Sequence, residues 1–266
     1  MTELKQQIFV AAHPKFFPEK GFELATRLAK VYEKAVCFLG IPNDKDKDLN
    51  LYEPTFKDWE KRCAEKNPDI QVCSWVLDVE DDFTDKMEHT EASMIIFELS
   101  DQAPFNKPMN QLNLCRQLRI PYFFVKASQT ISFDKVLVPV GMLMEEREKG
   151  PFSSSLGRFF QSEILLMPAN DYGSRAKQNT EGIKNLLDKF SLKYQFIKAE
   201  KDSSKVELEA CKRTDELNVG MLMISASRDY GLDDLLFGPK ELKVIKKATV
   251  PVMVINPRAD LYTLCG

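Results

Sequence analysis

Residues able to do acid–base, nucleophilic or metal chemistry are sparse in this sequence. Only two histidines occur, His13 and His89, too few for a histidine-rich metal site and a poor start for a Ser-His-Asp triad. His13 closes the apolar run Ile8-Phe9-Val10-Ala11-Ala12, at the end where open α/β sheets bind ligands. It could be a functional group there or a plain loop histidine at a helix entry, and the loop reading is preferred. The acidic run Asp78, Glu80, Asp81, Asp82 follows a later apolar run. Carboxylates so placed can bind Mg²⁺. They are also what a helix N-terminus takes for its cap and its dipole, and with no phosphate-binding loop beside them capping is the expectation. No G-x-G-x-x-G follows a first strand, and neither a P-loop lysine motif nor a G-x-S-x-G elbow occurs. The six cysteines form no C-x-x-C pair and no metal-like spacing, so they read as reduced thiols of a cytosolic protein. No catalytic residue and no metal ligand is expected, and the chain reads as a non-enzyme.

The elements that must position these residues alternate regularly. Strand-length apolar runs are expected at Ile8–Ala12, Val36–Leu39, Ile70–Leu77, Met94–Phe97 and Pro121–Val125. Between them lie helical patterns over Phe22–Ala35, Tyr52–Glu65, Phe83–Glu91 and Met109–Leu118. Ala25, Leu28, Ala29 and Tyr32 fall at i, i+3, i+4, i+7 in the first of these. The same order then restarts. Strands are expected at Lys135–Val140, Ile164–Met167, Leu192–Ile197, Val219–Ile224 and Pro251–Ile255. A serine-capped helix is expected over Ser153–Phe160, a helix marked by Ile183, Leu186, Leu187 and Phe190 next, and then one opened by a Ser204/Glu207 capping box. A last helix covers Lys240–Ala248. Continuous apolar strands separated by helices argue for parallel sheets covered on both faces.

The restart is a repeat. Phe9 and Leu137 lie 128 residues apart, Pro42 and Pro168 126, Met94 and Met221 127, Pro121 and Pro251 130. Four landmarks in one order at nearly one offset indicate duplication. The expected domains are residues 1–130 and 134–266, joined by a short linker near 127–134.

Composition excludes several partners. The 266 residues are 44% hydrophobic and 29% charged with net charge −3, a globular balance without the field that draws in nucleic acid. No apolar stretch approaches the roughly 18 residues of a membrane helix, and the N-terminal residues do not read as a signal peptide. The run Asn43-Asp44-Lys45-Asp46-Lys47-Asp48 alternates in sign as a solvated loop does.

The stretch Met221-Leu222-Met223-Ile224-Ser225-Ala226-Ser227-Arg228-Asp229-Tyr230-Gly231, continuing through Leu235-Leu236-Phe237-Gly238-Pro239 to Pro251-Val252, resembles the C-terminal part of the universal stress protein family. That family ends in an apolar strand, a small-residue loop, a leucine-rich turn, a glycine before the last helix and a Pro-Val strand. In its ATP-binding members the loop reads G-x2-G-x9-G-[S/T], whose glycines let backbone N–H groups close on phosphates. Here the spacing stands with other residues. Ser225 and Arg228 occupy the first two glycine positions, Gly238 the third, and Pro239 replaces the hydroxyl residue. Gly141 stands where the family's first strand ends in an aspartate that meets adenine.

The resemblance implies two Rossmann-like (adenine nucleotide alpha-hydrolase-like) α/β domains, each with a five-stranded parallel sheet in the order 3-2-1-4-5 flanked by helices. It also implies pairing through the fifth strands, Pro121–Val125 and Pro251–Ile255, within one molecule, with a homodimer as a further state and a protein partner of unknown kind. The leading functional expectation is a non-catalytic stress-response or regulatory protein without a cofactor. The alternative is an ATP- or AMP-binding protein using Gly141, Ser225, Ser227, Arg228 and Gly238. An adenine-nucleotide enzyme ranks last, because neither Ala12-His13-Pro14 nor Val140-Gly141-Met142 makes a pyrophosphate loop. Met142, Met144 and Tyr230 could fill the pocket beside Gly141 and Gly238.

Overall fold

Strands without polar alternation need cover on both faces, and helices before and after each strand supply it. The computed structural model describes residues 6–42, 49–78, 82–90, 92–100, 107–227 and 239–257. The chain divides into two units, Met1–Ser128 and Gln129–Gly266.

The first unit runs β1 (Gln7–Ala12), α1 (Glu19–Tyr32), β2 (Ala35–Gly40), α2 (Leu49–Lys66), β3 (Val72–Val76), α3 (Phe83–His89), β4 (Ala92–Leu99), α4 (Pro108–Cys115) and β5 (Tyr122–Lys126). All of its strand pairs are parallel, and they give the order β3-β2-β1-β4-β5. The second unit runs β6 (Lys135–Val140), a 3-10 turn (Met144–Glu148), α5 (Lys149–Phe160), β7 (Glu163–Pro168), α6 (Arg175–Lys189), β8 (Tyr194–Phe196), α7 (Val206–Lys212), β9 (Met221–Ser225), α8 (Lys240–Lys247) and β10 (Val252–Ile255). Its strands are again parallel, in the order β8-β7-β6-β9-β10. Numbered by position in its own unit, each sheet is 3-2-1-4-5. The fold is therefore α/β with Rossmann-like sheets.

The central strands carry the cores. Ile8, Phe9 and Val10 of β1 and Val136, Leu137 and Val138 of β6 are completely buried. On α1, Ala25, Leu28 and Ala29 face the sheet as their spacing predicts, while Tyr32 is only half-buried. The helix stops at Tyr32 because Glu33 turns left-handed at φ 55°, its N–H bonding the Ala29 carbonyl.

Four local expectations are corrected. The helix expected over Ser153–Phe160 begins at Lys149, fed directly by the 3-10 turn, with Pro151 tolerated in the first turn. Ser153 and Ser154 are buried mid-helix and cap nothing. The strand expected over Leu192–Ile197 shrinks to three residues, and Phe190 is 39% exposed rather than core. Ser204 is not the cap of α7, which starts after Lys205 with no side-chain cap. Its hydroxyl and N–H both go to Asp202.

The acidic run behaves as expected where it is described: Asp82 caps α3, its Oδ1 accepting the Asp85 N–H at 2.9 Å. Glu80 and Asp81, like the run 43–48, lie outside the described residues. Among the described residues no group of three or more His, Cys, Asp or Glu could hold a metal ion, and no helix is long and apolar enough to cross a membrane.

Candidate functional site

In parallel α/β sheets the carboxyl ends of the strands present free backbone N–H groups, and ligands collect there. In the second unit these ends belong to β6 and β9. The predicted residues Gly141, Ser225 and Ser227 fall on them; Arg228, Gly238 and Tyr230 lie outside the described residues.

The site is built from β6 outward. Carbonyls along β6 alternate in direction. Asp134 and Val140 accept from Glu163 and Ala169 on the β7 side, Lys135 from Gly220 before β9. Pro139 therefore faces β9. It has no N–H to give, and the β6–β9 register covers only Val136 and Leu137. Lys149 fills the gap. Its ammonium group, completely buried, donates to the Pro139 carbonyl at 2.6 Å and to Glu146 Oε2 at 2.8 Å, and lies 3.6 Å from Glu207 Oε1.

Glu146, on the 3-10 turn, accepts the Gly141 N–H at 3.0 Å. Glu207, on α7, accepts the Ser225 N–H at 2.9 Å and faces Lys240 Nζ at 3.1 Å through its other oxygen. Glu241, in the first turn of α8, is completely buried and accepts both the N–H of Ser227 and its hydroxyl, the latter at 3.1 Å. Charges thus alternate along Glu146, Lys149, Glu207 and Lys240, with Glu241 closing the row at a helix N-terminus, where a carboxylate is favoured.

Electrostatics follow from this placement. Burial pushes the Glu146 carboxyl up, but Lys149, Lys240 and the Gly141 N–H outweigh it and hold the group below its ordinary range. Glu207 lifts Lys240 above its usual value despite burial. Burial of Glu241 raises its carboxyl, the Ser227 N–H countering only part of the effect.

A second set of bonds fixes the turn after β6. Ser203 Oγ accepts the Met142 N–H at 2.8 Å and donates to Asp171. Asn179 donates to the carbonyls of Gly141 and Leu143 at 3.0 and 2.7 Å, and Arg147 donates to Asn179. A Cβ on Gly141 would stand 3.2 Å from Ser203 Oγ. Met142 and Met144, expected to fill this space, are instead 46% and 54% exposed. Polar side chains take the interior positions because strand-end N–H groups need acceptors, which a thioether supplies poorly.

Gly141 donates to Glu146, Met142 to Ser203, Ser225 to Glu207, Ala226 to the Ile255 carbonyl at 2.9 Å and Ser227 to Glu241. Among the described residues, these five donors at the strand ends already have acceptors in the chain. A phosphate would have to displace two buried carboxylates and then sit among them. Sequence reasoning missed Glu146, Lys149, Glu207 and Lys240 as site residues. A proline inside a central strand was the one visible signal, because without an N–H it interrupts the ladder at the end where the Pro139 carbonyl takes Lys149.

In the first unit, Glu98, next to last in β4, is almost completely buried and accepts the Gly21 N–H at 2.9 Å. Burial raises its carboxyl, the N–H groups of Gly21 and Lys20 offsetting part of the rise. It thereby caps α1, whose own N-cap residue, Pro18, makes no side-chain bond. A Cβ on Gly21 would be 3.1 Å from Val10, so glycine lets α1 come this close. His13 is a turn residue: its carbonyl accepts the Phe16 N–H at 2.8 Å, its Nδ1 the Lys15 N–H at 3.3 Å, and its ring meets Tyr52 edge-on. Around the end of β2, Phe38 touches Phe17, Phe22, Phe56 and Trp59 with centroid separations of 5.4–6.4 Å.

Three solved structures share this architecture over nearly the whole chain. A universal stress protein from Archaeoglobus fulgidus DSM 4304 matches with TM-score 0.67 at 12% identity, covering 96% of this chain and 99% of that one. A protein provisionally assigned to the universal stress proteins, from Pseudomonas aeruginosa UCBPP-PA14, matches with TM-score 0.67 at 14% identity, covering 95% and 94%. A protein of unknown function from Pseudomonas aeruginosa PAO1 matches with TM-score 0.66 at 14% identity, covering 95% and 93%. At such identities the likeness is one of fold. No protein-family model matches the sequence, and no curated protein matches it.

Proposed function

We propose that this chain is a two-domain universal stress protein that works without catalysis, as a regulatory protein of the cytosol, with the nucleotide position of its second unit taken by its own carboxylates. The observation that carries this reading is the bonding of the Ser225 and Ser227 N–H groups to Glu207 and Glu241. These are the donors a phosphate cradle would use, and a displaced carboxylate would face the incoming phosphate as a like charge in a poorly solvated place. The shared fold of the stress proteins above supports the family. The described cysteines, Cys37, Cys63, Cys73, Cys115 and Cys211, are free thiols, which suits a reducing compartment.

The test is a thermal-shift titration with ATP, ADP and AMP, with and without Mg²⁺. A ligand present at 100 times its Kd that binds only the folded state adds roughly 2.7 kcal/mol, a shift easily seen. The expected result is no shift at millimolar nucleotide. A saturable shift that is lost in Arg228→Ala or Gly238→Val would overturn the proposal and place a nucleotide on the C-terminal loop.

A further inference from the structure

A second place in the molecule gathers charge for no purpose in the site above. On the second unit a groove of about 650 Å³ runs between α7 and the segment that follows β8. Lys198, Lys201, Lys205 and Lys212 line it with Arg213, and Leu208 is the one apolar residue of the lining. Three carboxylates share the lining: Glu200, Glu209 and Glu216.

Two of those carboxylates are already used. Glu209 takes the N–H groups of Glu200 and Lys201, at 3.0 and 2.8 Å, and so pins the segment to the helix. Glu216 holds the Arg213 fork at 3.1 and 3.2 Å, while Arg213 also donates to the Lys198 carbonyl at 2.9 Å. Next to the groove, Asp202 lies within electrostatic reach of Lys205 and Lys201, but Ser204 occupies its Oδ1. Among the described residues, none of the four lysine ammonium groups has a hydrogen-bond or salt-bridge partner. Five cations therefore face three carboxylates in a concavity whose walls are fixed, on a protein whose net charge is −3. The lining thus carries an excess of positive charge, and a cleft with such an excess raises the local concentration of anions.

We infer that this groove binds a small polyanion, a molecule carrying two or more phosphate or carboxylate groups. Several cationic side chains in one lining favour an occupant with more than one negative charge over a monovalent or neutral one. The volume lies within the range of small-molecule sites. Lysines suit such a ligand as point charges on flexible stems.

Isothermal titration of the full chain with inorganic tripolyphosphate tests the assignment. The expected result is saturable one-to-one binding, weakened at least about tenfold for each charge removed, so that Lys201→Glu/Lys212→Glu abolishes it. Lys61→Glu/Lys66→Glu, which changes net charge equally on α2, should leave it intact. Circular dichroism checks folding, and Lys201→Gln/Lys212→Gln replaces the charge reversals if they misfold. Absence of heat, a stoichiometry far above one, equal loss in the α2 control, or binding only to single-stranded RNA or an acidic polypeptide would each overturn the assignment. Glu207 and Glu241 take no part in the groove, so an ATP shift abolished by the groove variants counts for the groove, and one abolished by Arg228→Ala counts against the closed strand ends.

Discussion

The two units repeat one topology and close it with opposite chemistry. The first surrounds the end of β2 with packed rings and places a single carboxylate, Glu98, on the N-terminus of α1. The second sets five ionisable side chains, Glu146, Lys149, Glu207, Lys240 and Glu241, around the ends of β6 and β9. The offset that carries Met94 onto Met221 carries Glu98 onto Ser225. In one unit a strand carboxylate thus receives an N–H from a helix start; in the other, carboxylates from a 3-10 turn and two helices receive N–H groups from strand ends.

The largest expected effect strikes the second unit. Lys149→Met leaves the carboxylates of Glu146 and Glu207 buried without their shared cation, and should cost about 3–5 kcal/mol, read from the urea midpoint by far-ultraviolet circular dichroism. A loss under about 1 kcal/mol would mean that the charge row does not hold the edge, and the contrast between the units would fail. In the first unit Phe38→Ala should cost about 3 kcal/mol or slightly more through the cavity left among the rings. Both tryptophans, Trp59 and Trp75, lie in this unit, so their fluorescence reports its unfolding directly.

Next in size is a pair of opposite pH slopes. Burial lifts Glu98 above its ordinary value, so its contribution to stability is fully present below the unfolded value of about 4.3 and is lost as pH rises through the folded one. Glu146 is held below its ordinary value because Lys149, Lys240 and the Gly141 N–H outweigh its burial. Its contribution is present above about 4.3 and lost as pH falls through the folded value. Relative to the parent, Glu98→Gln should gain stability as pH rises above about 4.3, and Glu146→Gln should lose it as pH rises toward about 4.3 from below; urea midpoints on either side of that value decide. Slopes of the same sign would erase the electrostatic contrast. The smallest effect is Gly141→Ala, about 1 kcal/mol by thermal shift, because a Cβ there would stand 3.2 Å from the Ser203 hydroxyl and crowd it in its bonds to Met142 and Asp171.

The fold was largely legible in the sequence because strand burial on both faces leaves an unmistakable pattern: Val36–Leu39, Met94–Phe97 and Lys135–Val140 all fall within strands. Legibility failed where a residue's partner is distant in the chain. Glu207 looked like half of a local capping box with Ser204, yet its acceptor oxygen serves Ser225, 18 residues away. The serines at 153–155 looked like a cap, but the 3-10 turn had already started the helix. Met142 and Met144 looked able to fill a pocket that polar groups fill instead. Phe190 carried the right helical spacing but sits under the guanidinium of Arg158, 4.6 Å from the ring centre, at the surface. In each case a local rule competed with a tertiary contact and lost.

The carboxylates of Glu207 and Glu241 have one more consequence. A soluble ligand occupies its site in proportion to its concentration, and its departure withdraws whatever stability it lent. A ligand covalently attached to the chain has an effective concentration set by the backbone rather than by the cell. The N–H groups of Gly141, Ser225 and Ser227 therefore have acceptors whose supply is set by the chain itself and not by a metabolite pool.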